Sequence, residues 1–253
     1  MTKSHPPPSL KPKHPRVTII GLGFVGTAVY HMLKNCDVVI HDPPKGYKQL
    51  SVVIDNSDFI FICLPTPTVD GIQDDGLIWS CLDRLKEIYY EGVVIIKSTM
   101  LNPPAWVVYN PEFLNENSSV KDCLEQQLII LGGNADATKK VKQFYLNNTL
   151  IYDPLFHICT IKEAVNIKYY HNIYNAYKVL FWNYVNERCD HRSIAIIYKA
   201  LRAGQDSEFS QVAADGKKGY GGACFPKDVK AFDHQHPHEL TRFMIEYNTK
   251  LRT

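Results

Sequence analysis

The sequence predicts an α/β fold in two parts, a parallel-sheet domain followed by an all-helical domain. Two observations predict it. Short β-branched apolar runs (VTII, DVVIH, FIFIC, VVII and LIIL) alternate with longer mixed segments from Arg16 to about Tyr152, and a long stretch free of Gly and Pro, from Thr160 to Ala203, follows with apolar residues at helical spacing. Continuous apolar runs are what parallel strands show when helices cover both sheet faces. The expected boundaries are a leader over 1–15, a sheet domain over 16–153 and a helical domain over 154–253.

Taken in order, Met1–Pro15 holds five prolines and no apolar period, which predicts a mobile leader. The five strands come next, with no strand-like run after about Tyr152. The Thr160–Ala203 stretch predicts one long helix and a shorter one. GKKGYGGAC (216–224) predicts a glycine-dense loop, DHQHPH another loop, and Glu239–Leu251 a last helix. HQHPH (234–238) brings three histidines together, but with no acid or Cys partner in the pattern and a Pro disrupting helical spacing, it predicts an exposed loop and no metal site.

The 253 residues carry a net charge of +2 with Lys and Arg scattered among Asp and Glu, so no basic surface for nucleic acid or anionic lipid is indicated. No apolar run spans a bilayer or marks a signal peptide, which predicts no membrane partner. Seven cysteines without a CxxC predict reduced thiols and a cytoplasmic protein.

GLGFVG (Gly21–Gly26) follows the first apolar run and opens a helix. Gly21 suits the tight turn, Gly23 lets the backbone approach a pyrophosphate, and Gly26 allows helix and strand to pack closely, the pattern of a Rossmann-type dinucleotide site. Asp42 ends the second run about 20 residues on, where an acid binds the adenosine ribose and repels a 2′-phosphate. The predicted cofactor is therefore NAD, a preference softened by nearby Lys45. CLPTPT (63–68) and KSTM (97–100) sit at strand ends, which line the ligand crevice of such sheets. Cys224, in a glycine-rich turn beside Lys227 and Asp228, is placed as an exposed thiol should be, though a nearby cation or helix N-terminus must make it a thiolate. Lys168 and Asn172, four apart, share one helix face.

The motifs GLGFVG, LPTPT, KST, NPEFLNE (110–116), EAVNIKYYHN (163–172) and GYGGACFPKD (219–228) resemble, in kind and order, those of the UDP-glucose/GDP-mannose dehydrogenase family. The resemblance implies two successive hydride transfers from a sugar C6 hydroxyl to NAD, through a thiohemiacetal and a thioester on Cys224. It implies catalytic roles for Cys224, Lys168, Asn172, Asp228, Thr99, Glu112 and Glu116. It assigns cofactor contacts to Gly21, Gly23, Phe24, Val25, Gly26, Asp42, Pro65, Thr66, Thr99, Glu116 and Lys227. Substrate contacts fall to Glu112, Phe113, Leu114, Lys168, Asn172, Tyr220, Gly221 and Cys224. It further implies a nucleotide-sugar substrate, UDP-glucose or a UDP- or GDP-linked analogue, and a homodimer through the helical domain. Departures from the family are Gln127 for an Arg, Tyr184 for a Glu, a QDSEFSQ loop without its Arg, and a chain expected to lack the family's C-terminal nucleotide-binding domain. A β-hydroxyacid dehydrogenase making one NADH per turnover, and a non-catalytic NAD-binding partner protein, are the alternatives.

Overall fold

The computed structural model describes residues 14–47, 57–202 and 215–253 of the chain. The chain forms two compact units. One comprises Met1–Pro65, Ser80–Ser98 and Pro103–Ile161, and the other Thr66–Trp79, Thr99–Asn102 and Lys162–Thr253.

The first unit is built on β1 (Arg16–Ile20), β2 (Asp37–His41), β3 (Phe59–Ile62), β6 (Val93–Ile96), β7 (Val108–Tyr109), β8 (Leu128–Gly132) and β9 (Leu155–Cys159), in the order β2-β1-β3-β6-β7-β8-β9. All neighbours are parallel except β7 with β8, which meet antiparallel at Tyr109 and Gly132. All five predicted runs are strands. Strand β9, paired residue for residue with β8 from Leu128–Leu155 to Gly132–Cys159, corrects the expectation that strands stop near Tyr152. LFHIC is apolar apart from His157, like the other strand runs, although Leu155 and Ile158 are exposed in the fold. Helices α1 (Phe24–Met32), α2 (Gly76–Glu87), α3 (Ser119–Glu125) and α4 (Ala135–Asn148) complete the α/β layering, the last residues of the α2 span lying in this unit and its first in the other. Val17, Ile19, Ala28, Phe61, Ile95, Leu131, Val141 and Phe144 fill one core under the sheet, where burial of each large side chain contributes about 1.5–3 kcal/mol. Because β1 pairs with β2 on one side and β3 on the other, the chain reverses its winding at the carboxyl end of β1. A ligand crevice opens at such a switch point.

The second unit holds a small hairpin, β4 (Thr68–Val69) with β5 (Ile72–Gln73), and four helices: α5 (Ile161–Asn186), α6 (His191–Arg202), α7 (Phe225–Gln235) and α8 (Glu239–Arg252). One core joins Ala176 and Leu180 of α5, Val229 of α7 and Met244 of α8 with Tyr220, and a second joins Trp182 and Val185 to Ile194 of α6. The DHQHPH loop is shorter than expected, because α7 runs through Gln235 and the ring nitrogen of His238 caps α8 by accepting from Leu240 N at 3.1 Å. The expected leader and the QDSEFSQ loop lie outside the described residues, apart from His14 and Pro15, and the Pro15 carbonyl accepts from Asp37 N.

Candidate functional site

At the carboxyl end of β1, Gly21 turns the chain at φ 87°, and a Cβ there would lie 2.6 Å from the Cys63 carbonyl. A Cβ on Gly26 would collide with the Gly21 carbonyl, so α1 packs directly on the turn. Gly23, the N-cap of α1, faces open space and the helix has no side-chain cap. The first amides of α1 are thus left for an anion, with a cradle above them that a side chain would fill, which fits a dinucleotide phosphate. Asp42 Oδ2 accepts from Leu22 N at 2.7 Å, fixing the carboxylate beside the glycine turn, and Lys45 Nζ donates to the Leu22 carbonyl at 2.5 Å. Phe24 and Val25 are half-buried in the first turn of α1, and Pro65 lies exposed just past β3.

The loop after β7 carries the paired acids. Glu112 is buried and its Oε2 accepts from Leu114 N at 2.7 Å, Phe113 and Leu114 are half-buried, and Glu116 is exposed in a turn. The segment from Glu112 to Glu116 is irregular. Asn110, which sequence reasoning treated only as a motif letter, anchors the loop. Its Oδ1 accepts from Lys97 Nζ at 3.1 Å and Tyr145 OH at 2.6 Å, and its Nδ2 donates to the Ile130 carbonyl at 2.8 Å. A buried amide with each polar atom engaged pins β6, β8 and α4 together.

In the second unit, Lys168 and Asn172 are buried on one face of α5. Asn172 Nδ2 donates to Asp228 Oδ2 at 2.6 Å, and Lys227 Nζ donates to Asp228 Oδ1 at 2.6 Å, so both oxygens of this fully buried carboxylate are engaged. Asp228 lies in the first turn of α7, whose N-cap is the half-buried Cys224. That position is the N-terminus of α7, the positive end of the helix dipole. The glycine loop before it is held by Asn248 of α8, which accepts from Tyr220 N at 2.8 Å and donates to the Tyr220 carbonyl at 3.1 Å. Tyr220 is buried, Gly221 half-buried, and Gly219 stands at φ 79° with Asn248 where a Cβ would go. Thr66 and Thr99 are buried in this unit; the Thr99 carbonyl accepts from Gln73 Nε2 at 3.3 Å, and Thr68 Oγ1 donates to the Lys227 carbonyl at 3.1 Å. Neither Asn248 nor Gln73 announces itself in the sequence, since each acts on backbone remote along the chain.

None of the seven cysteines forms a disulfide. Burial pushes Cys63 up to about 12, with Lys97 only partly offsetting it, and pushes Cys36 and Cys81 up to about 11. Burial also raises Cys123. These four are held as thiols. Cys36, Cys63 and Cys189 stand outside helices and strands. Among the described residues no group of three or more His, Cys, Asp or Glu is placed to hold a metal ion, and no helix is long and apolar enough to cross a membrane.

A mostly parallel sheet with a glycine turn at its switch point, followed by a helical unit, is the architecture of Rossmann-type dehydrogenases. Residues 162–250 match the central-domain model of the UDP-glucose/GDP-mannose dehydrogenase family. The chain is similar to the UDP-glucose 6-dehydrogenase of Rickettsia conorii, 29% identical over 203 residues that cover 72% of this chain and 45% of that protein. Its fold is similar to that of a UDP-glucose dehydrogenase from the hyperthermophilic archaeon Pyrobaculum islandicum, at TM-score 0.73 and 21% identity over 98% of this chain and 70% of that one. The fold likeness extends to the 3-hydroxyisobutyrate dehydrogenase of Mycobacterium tuberculosis, at TM-score 0.66 and 13% identity over 93% of each chain. The family match and the curated relatives place residues 162–250 in the UDP-glucose/GDP-mannose dehydrogenase family, and the solved structures show the same fold. It spans about half the length of the curated relatives it matches.

Proposed function

We propose that this chain is an NAD-dependent nucleotide-sugar dehydrogenase that oxidises the C6 hydroxyl of UDP-glucose, or of a related UDP- or GDP-sugar, to the carboxylate. The observation that carries the reading is the buried Asn172–Asp228 hydrogen bond in the same unit as Cys224, the N-cap residue of the helix whose first turn holds Asp228. A β-hydroxyacid dehydrogenase has no use for a cysteine at that helix end, so the fold likeness to one does not displace the reading.

Gly21, Gly23, Phe24, Val25, Gly26 and Asp42 would hold the cofactor, with Pro65, Thr66, Thr99, Glu116 and Lys227 completing its contacts. NAD, when bound, accepts one hydride in each of two rounds. Lys168 and Asn172 steady the substrate oxygen as it becomes anionic and hold a water through which its proton leaves. The Cys224 thiolate adds to the resulting aldehyde carbon as a thiohemiacetal, and loss of a second hydride and proton leaves a thioester. Water positioned by Thr99 and polarised by Glu112 or Glu116 attacks that carbon, releasing the carboxylate and restoring the thiol. Phe113, Leu114, Tyr220 and Gly221 would line the sugar site.

The partner is a second copy of the chain. Tyr170, Tyr174, Tyr177, Phe181 and Tyr184 are exposed on α5 at alternating spacings of four and three, the repeat that aligns a seam between two packed helices. Reduced thiols and the absence of a membrane-crossing helix among the described residues fit a cytoplasmic setting.

The test is NADH production from NAD and a panel of UDP-glucose, UDP-N-acetyl sugars and GDP-mannose, with Cys224→Ala in parallel. Two NADH per sugar, with net oxidation lost in the variant, is expected. One NADH per substrate, indifferent to Cys224, supports the β-hydroxyacid alternative; NAD binding without turnover sinks the autonomous-enzyme reading.

A further inference from the structure

The second unit contains an open cleft of about 570 Å³ that the proposed chemistry does not use. Its walls come from the hairpin and the start of α2 (Gly71, Ile72, Gln73, Asp75, Trp79), from Leu101 and Asn102, and from the end of α7 (Ala231, His234, Gln235). Ten residues of helix separate His234 from Cys224, about 15 Å of rise. The volume lies in the range of small-ligand sites.

Gln73 braces these walls. Its Nε2 donates to the Thr99 carbonyl and to Tyr169 OH, and its Oε1 accepts from Leu101 N at 3.1 Å, so hairpin, loop and α5 are tied together. The other polar groups are unspent. The side chain of the half-buried Asp75 and those of the exposed Asn102, His234 and Gln235 at the rim have no hydrogen-bond or ion-pair partner among the described residues. The half-buried indole of Trp79 has neither a ring stacked on it nor an acceptor for its N–H among them. Trp at a concave site buries its face and directs its N–H to a partner.

The set specifies a ligand class. Amide groups donate and accept at once, as hydroxyl arrays require, and an indole face accommodates the C–H face of a pyranose ring. No Lys or Arg lines the cleft and Asp75 is a carboxylate, so phosphates and carboxylates are disfavoured. We propose that this cleft is a binding site for an uncharged saccharide, with Trp79 as its stacking platform and Asp75, Asn102 and Gln235 as its hydroxyl partners. Recognition here needs neither cofactor nor turnover, so it stands or falls apart from the dehydrogenase reading.

The experiment is saturation-transfer NMR and calorimetry on the full chain without NAD, using D-glucose, N-acetylglucosamine, glucosamine and glucuronate as probes. Glucose or N-acetylglucosamine should bind, glucuronate at least tenfold more weakly. Trp79→Leu should weaken the neutral sugars at least tenfold, Trp79→Phe should retain part of the affinity, and Asp75→Asn should narrow the gap to glucuronate, with circular dichroism confirming each fold. No binding by either neutral sugar, or binding unchanged in Trp79→Leu, overturns the proposal. Preference for glucosamine over glucose also overturns it, because that marks a cation site.

Discussion

Replacing Asp228 by Ala would strip the buried centre of the second unit. In the folded protein Asn172 would lose the acceptor 2.6 Å from its amide, and it is too buried for water to replace it. Lys227 would lose its partner as well, but its side chain is 20% exposed and can rehydrate, so the larger share of the penalty falls on Asn172. An unsatisfied buried donor costs about 1–3 kcal/mol, and breaking a buried ionic contact about 3–5 kcal/mol when both partners are dry. Lys227 being partly wet, the expected loss is about 3 kcal/mol. At about 2–4 °C per kcal/mol for a chain of this size, Tm should fall by roughly 6–12 °C. Urea denaturation of Asp228→Ala, Asn172→Ala and the double variant completes a cycle, and the two single losses should exceed the double by about 1.5–3 kcal/mol. Additivity within about 0.5 kcal/mol would refute the claim that the two side chains sustain one another.

Two glycines only three apart should fail differently. Gly26→Ala forces a methyl into the Gly21 carbonyl and should lower the stability of the first unit by more than about 2 kcal/mol in thermal melts, whereas Gly23→Ala meets open space and should melt normally while weakening NADH binding, read by fluorescence, at least tenfold. In alkali, Cys63 sets the sign. Its folded-state pKa of about 12 stands above the ordinary thiol value of 9.0, so the unfolded chain ionises first; the contribution is whole below pH 9 and is lost as pH rises towards 12. Stability should therefore decline by on the order of 1 kcal/mol per pH unit in that window, more shallowly in Cys63→Ala, when measured by urea titration. Phe181→Lys on the exposed aromatic seam should shift sedimentation from dimer to monomer without lowering helix content, and an unchanged sedimentation coefficient would remove α5 as the dimer face.

The five apolar runs and the long segment after Thr160 carried most of the fold, because parallel strands and packed helices stamp their period on the residues they bury. Strand β9 shows its apolar residues in the run LFHIC, but its pairing with β8, which makes it a strand, is not written in that run. Among the candidate site residues, Gly21, Gly23 and Gly26 were legible because glycine marks a backbone demand, and Lys168 with Asn172 because helical spacing implies a shared face. What the sequence determined alone was therefore local: period, turn chemistry and motif order. Only tertiary structure decided that Asp228 meets Asn172, and that Asn110, Gln73 and Asn248 hold loops distant from them along the chain. The physical reason is that a hydrogen bond between remote segments leaves no periodic trace in either one, and exists only once the packed core has brought them together.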